Sequence, residues 1–202
     1  MPPVALNATS MLRGSPQHHG AVRKLHIPLL YSFLPRFIQR LILRFLPFLA
    51  PSWRSCYLIL LGAYLYKFEA ANSNEPKGSP LGVESIDKLY LVSNEELDRS
   101  LTMTGTGSIF CVTTVLGKKH YYQAEEDAEL WIRSLGQARQ EAIRRRLGHA
   151  PEGSYPPAWA AYDRLGESCR QRKERVKRRV EELEMRSLVA DDGGVMPRGY
   201  FG

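Results

Sequence analysis

Arg36, Arg40 and Arg44 stand four residues apart in a segment otherwise built of Phe, Ile and Leu. On an α-helix that spacing aligns the three guanidinium groups in one stripe. Pro35 sits where such a helix would start and Pro47 near where it would stop. A narrow cationic stripe beside a wide apolar face is what an interfacial membrane helix requires. The arginines would meet anionic lipid, and Phe37, Leu41 and Phe45 would enter the acyl boundary. The same apolar face would equally serve to pack on the protein's own core, with the arginines in water. Both placements are open, and they are not exclusive.

Residue types suited to bond-breaking chemistry are not grouped. The three cysteines, Cys56, Cys111 and Cys169, form no CxxC pair, and none of the five histidines is clustered with them. Neither a metal site nor a disulfide framework is expected. Cys56 and Cys111 lie in apolar runs and read as buried free thiols, which suits a reducing compartment. Gly105-Thr106-Gly107 is a turn rather than a phosphate-cradling loop. The expectation is no catalytic site, no cofactor and no enzyme activity.

Charge is distributed unevenly. Residues 1–68 contain no Asp or Glu, and their eight Lys and Arg residues exceed the whole chain's net charge of +7. An anionic partner is implied for the first third, although bulk charge does not choose its kind. The apolar run 27–50 is a poor transmembrane span, because each central Arg costs about 2.5–3.5 kcal/mol of insertion energy. An acid-free, arginine-bearing N-terminus also fits an organelle transit peptide. Localisation is therefore expected to be cytoplasmic and peripheral to a membrane, with organelle targeting as the alternative.

The elements that must position these residues follow from periodicity and turn signals. Residues 1–20 read as a disordered basic arm. Strands are expected over 22–32, 53–61, 64–70, 82–92 with an interruption, 100–104, 109–115 and 119–124. From Ala128 the period changes: Ala128, Trp131, Ile132, Leu135, Ala138 and Ala142 recur at three and four, an amphipathic helix. Its start carries acids and its end Arg144–Arg146, both suited to the helix dipole. A linker at 148–156 leads to a charged helix over 157–189. There Tyr162, Leu165, Cys169, Val176, Val180 and Leu183 make a rough heptad, broken by Arg172 and Arg179. Residues 190–202 read as a disordered tail.

Two blocks resemble the pleckstrin-homology family. Trp53-Arg54-Ser55-Cys56-Tyr57-Leu58-Ile59-Leu60 with Tyr64-Leu65-Tyr66-Lys67-Phe68 is similar to its second and third strands. Phe110-Cys111-Val112, Tyr121 to Glu125 and Glu129-Leu130-Trp131-Ile132-Arg133-Ser134-Leu135 are similar to its last strands and closing helix. The resemblance implies a mainly β fold with α: a bent seven-stranded barrel over 21–147, capped by a C-terminal helix. The 33–50 segment would be an amphipathic insertion in the first loop, and 157–189 an extra helix. Trp131 would be structural, filling the open end of the core. By resemblance, Lys24, Arg54 and Lys67 would face lipid phosphates. Cys56 replaces a base of the family's motif, and a thiol does not substitute for a guanidinium.

The functional expectation is a non-enzymatic adaptor that docks on anionic phospholipid or phosphoinositide surfaces through a cationic, apolar first loop. The alternative is a protein-interaction scaffold whose partner binds the amphipathic helix and helix 157–189, with lipid incidental. Nucleic acid is not an expected partner, because Arg170–Arg179 is interleaved and followed by glutamates.

Overall fold

The computed structural model describes residues 6–28, 35, 38, 42, 45, 50–93, 107–125, 127–149 and 155–192, with the side chains of the last helix described through Leu183 and at Met185. Helix α1 (Ala8–Arg13) precedes strand β1 (His18–His26). Strands β2 (Ser52–Leu61), β3 (Tyr64–Phe68), β4 (Leu81–Gly82), β5 (Ile86–Leu91), β6 (Ile109–Thr114) and β7 (Lys119–Ala124) follow. Helices α2 (Ala128–Arg146) and α3 (Pro157–Asp192) come last among the described residues.

Among the described residues, seven strands form one antiparallel sheet in the order β4-β3-β2-β1-β7-β6-β5. The two edge strands are consecutive in the chain, joined by a single 3-10 turn at Val83–Ser85. That turn is held by Val83 N–H to the Ala63 carbonyl and Val115 N–H to the Ser85 carbonyl. The sheet's ends are thus tied together by the chain itself.

Register decides what each strand shows to the interior. Val22 pairs with Cys56, Leu58 with Lys67 and Leu60 with Leu65. One row of β2, Cys56, Leu58 and Leu60, therefore enters the barrel core with Val22, Leu65, Phe110, Val112 and Tyr122. Helix α2 adds Ala128, Trp131, Leu135, Ala138 and Ala142 to the same core. Trp131 is 1% exposed; it stacks on Phe110 at 6.0 Å and meets the His18 ring edge-on at 4.3 Å.

The opposite faces of β2 and β3 are buried as well. Ile59, Leu61, Tyr64, Tyr66 and Phe68 form a second core with Ala8 and Met11 of α1 and Tyr162 of α3. Burial on both faces explains the unbroken apolar run Tyr57–Leu61, where a half-buried strand would alternate. Helix α3 is fixed by polar contacts too. The Tyr66 hydroxyl donates to the Tyr162 carbonyl at 2.8 Å, and the Tyr64 hydroxyl donates to Glu167 at 2.6 Å. Ala63 N–H donates to Asp163 Oδ1 at 2.7 Å, and Arg145 of α2 pairs with Asp163 at 3.1 Å.

Several expectations are corrected. The arm 1–20, expected without structure, carries α1, and β1 begins at His18 rather than Val22. Ala8 and Met11 are fully buried, and the Asn7 side chain caps the helix by accepting from Ser10 N–H at 2.7 Å. Composition suggested disorder, but a short helix covered by two larger elements needs little stability of its own. The first strand ends at His26, short of the expected Ser32. The stretch 82–92 is divided, so that β4 and β5 are separate strands. The strand expected at 100–104 lies outside the described residues. Helix α3 runs to Asp192, into what was read as the tail.

Candidate head-group pocket

An inward-facing row continues past the barrel core to the rim. Along β1, Val22 points into the core and Lys24 shares its face two residues on. Lys24 pairs with Arg54 on one side and Tyr122 on the other. On β3 the same logic places Lys67 beyond Leu65, opposite Leu58. On β7, His120 follows Tyr122 outward and pairs with Val112. The barrel's apolar interior thus ends in a ring of nitrogen-bearing side chains.

Two turns add further cations. Lys77 N–H donates to the Lys67 carbonyl at 2.6 Å, folding the β3–β4 loop back over the rim. In the β6–β7 turn, Gly117 adopts φ +74° and Thr114 N–H donates to the Lys118 carbonyl at 2.9 Å. A positive φ there favours glycine and sets Lys118 at the opening. The resulting cavity has a volume of about 310 Å³, at the lower end of small-ligand sites. Its wall holds Lys24, Lys67, Lys77, Lys118 and Lys173, with His120, Tyr122, Gly78 and Ser79, and among the described residues no carboxylate. Lys77 is also paired with Glu69 at 3.2 Å, a residue that does not line the cavity.

The lysines are close enough to oppose one another. Burial, then the neighbouring charges of Lys67 and Lys118, bring the Lys24 ammonium down to about 8. His120 is lowered to about 4 by burial and by the charges of Lys24 and Lys118, so it is neutral near pH 7. The Cys56 thiol is pushed up by burial beneath the same lysines. A small anion with several oxygens would satisfy such a ring, because each ammonium offers three donors and no acceptor.

Of the residues named from sequence, Lys24 and Lys67 line this cavity. Arg54 is exposed at its rim, opposite Lys24 in the ladder, and does not line it. Arg36, Arg40, Arg44, Phe37 and Leu41 lie outside the described residues. Within that segment Ile38, Ile42 and Phe45 are helical; Ile42 is buried with Ala50, and Phe45 is 65% exposed. Sequence reasoning missed Lys77, Lys118, Lys173 and His120. Lys118 was in a recognised turn and Lys77 in a recognised loop, so their signal was present; Lys173, on a distant helix, had none.

No protein-family model matches the chain, and no curated protein matches it. Solved structures do. The C-terminal PH domain of human pleckstrin is 18% identical, with a TM-score of 0.41, over 64% of this chain and 92% of that one. The pleckstrin homology domain of human KIAA0053 protein is 14% identical, with a TM-score of 0.38, over 62% and 89%. That of ArhGAP27 is 11% identical, with a TM-score of 0.39, over 61% and 98%. It is the strand order and the closing α2 helix, rather than any of these distant alignments, that make the fold pleckstrin-homology-like.

Proposed function

We propose that this chain is a non-enzymatic membrane-docking module whose lysine-lined cavity receives the phosphorylated head group of an anionic phospholipid. One observation carries the reading: five lysines converge on a cavity of about 310 Å³ whose wall, among the described residues, has no carboxylate. Mutual repulsion and desolvation make that arrangement costly when empty, and phosphate oxygens relieve both. The β1–β2 connection supports it. The chain leaves the sheet at His26 and returns at its ladder partner Ser52, beside Lys24 and Arg54. The connection that carries Arg36, Arg40 and Arg44 thus has both its ends beside Lys24 and Arg54, and on this reading its cations and Phe45 would meet the same bilayer. Among the described residues no helix is long and apolar enough to cross a membrane.

The test compares wild type with Lys24→Gln/Lys67→Gln. Binding of soluble inositol trisphosphate is measured by calorimetry, and binding of phosphoinositide-bearing vesicles by co-sedimentation. Each lysine near phosphate contributes about 1 kcal/mol, so the double variant should bind roughly 30-fold more weakly in both assays. Equal affinity of the two proteins for the soluble head group would remove the cavity from the account.

A further inference from the structure

We propose that the distal half of α3, from Arg170 to Leu183, is a second contact with an anionic bilayer, working beside the cavity. The inference rests on the reading that the cavity's mouth faces lipid. It begins from how α3 is tethered. Asp163 holds Ala63 at the β2–β3 turn, and Glu167 holds Tyr64 on β3. From there the helix passes the β3–β4 loop, where Lys173 reaches the cavity wall alongside Gly78 and Ser79. A larger groove of about 680 Å³ shares those same three residues and adds Arg172 and Val176 of α3. The head-group cavity and the distal helix are thus neighbours with a common wall.

Beyond that wall α3 loses its cover. Every described side chain from Arg170 to Leu183 is exposed. The stripe that docks on the barrel through Tyr162 and Leu165 runs past the half-buried Cys169 in the groove and continues as Val176, Val180 and Leu183, exposed by 59%, 47% and 54%. Helical spacing puts Arg172, Lys173 and Arg179 along the borders of that stripe. Seven of the ten residues from Arg170 to Arg179 are Lys or Arg, against one Glu. Glu181 is held by Lys177 at 3.3 Å, and Glu182 lies on the far side of the helix from Val180.

Charge selects the occupant. A second copy or another helix in a heptad seam would have to cover Arg172 and Arg179, which fall at seam positions and would be desolvated. An anionic bilayer accepts both parts: apolar side chains enter the acyl boundary while arginines keep their heads among phosphates. Because α3 is fixed to the barrel, engagement of the cavity raises the effective concentration of lipid at the helix, and the two contacts reinforce each other.

The experiment uses the full chain as wild type and as Arg172→Gln/Lys177→Gln/Arg179→Gln, which spares the cavity lysines. Vesicles are phosphatidylcholine alone or mixed with phosphatidylserine, and soluble inositol trisphosphate is titrated separately. The triple variant should bind phosphatidylserine vesicles roughly 100-fold more weakly and the soluble head group unchanged. Unchanged vesicle affinity would overturn the proposal. So would a concentration-dependent dimer in sedimentation velocity that Val176→Asp/Val180→Asp dissolves without altering vesicle affinity. The Lys24/Lys67 variant separates the two readings. If it leaves soluble head-group binding intact, the cavity reading fails, while the triple variant's loss on phosphatidylserine still reports on α3.

Discussion

The ammonium of Lys24 lies 5.5 Å from the ring centroid of Tyr122, its partner across the β1–β7 ladder. Tyr122 is buried against Phe110, so this contact marks where the apolar core ends and the cationic mouth begins. Lys24 is half-buried on an aromatic floor and surrounded by like charge. Its protonation is therefore sensitive to what occupies the cavity.

A pH dependence follows. The free protein holds Lys24 near a pKa of about 8, so its charge is lost as pH rises through that value. Inositol trisphosphate affinity should fall between pH 7 and roughly pH 9, and calorimetry across that range reads it. Lys24→Arg keeps its charge throughout and should flatten the profile. Stability of the unliganded protein has the opposite sign. The unfolded chain holds this proton up to 10.5, so it binds more protons over the interval and stability rises with pH.

His120 predicts sensitivity to acid. Its folded-state value of about 4 lies below the 6.5 of an exposed histidine. Between those values the unfolded chain binds the extra proton, so stability is lost as pH falls from 6.5 towards 4. Thermal melts in that window should show a shallower decline for His120→Gln than for wild type. Parallel slopes in the two proteins would assign the acid sensitivity to other groups.

The same substitution should have opposite effects on two helices. A Cβ at Gly166 would lie 2.7 Å from the Tyr66 hydroxyl oxygen and 2.8 Å from Cδ2 of Tyr64. Helix α3 would have to lift from β3, straining the Tyr66–Tyr162 and Tyr64–Glu167 hydrogen bonds. Gly166→Ala should cost about 1–3 kcal/mol despite alanine's better helix propensity. Gly136 on α2 has nothing within 4 Å of its would-be Cβ, so Gly136→Ala should stabilise by up to about 1 kcal/mol. Urea denaturation of both variants measures the contrast.

What could be read from the sequence alone was local. The β2–β3 and β6–β7 hairpins announce themselves through Gly62 and Gly117 between β-rich runs, and α2 through its period of three and four ending at Arg144–Arg146. Trp131 could be assigned to the core because a large aromatic on an amphipathic face has few other uses. Tertiary structure decided two things. It made α1 a helix, because Ala8 and Met11 gain their stability from β2, β3 and α3 rather than from neighbours in sequence. It also assembled the cavity, since Lys24, Lys67, Lys77, Lys118 and Lys173 come from two strands, two turns and a remote helix. Pairing register sets which lysines point inward, and the docking of α3 brings Lys173 to the rim. Both depend on contacts between residues far apart in the chain, which no local pattern encodes.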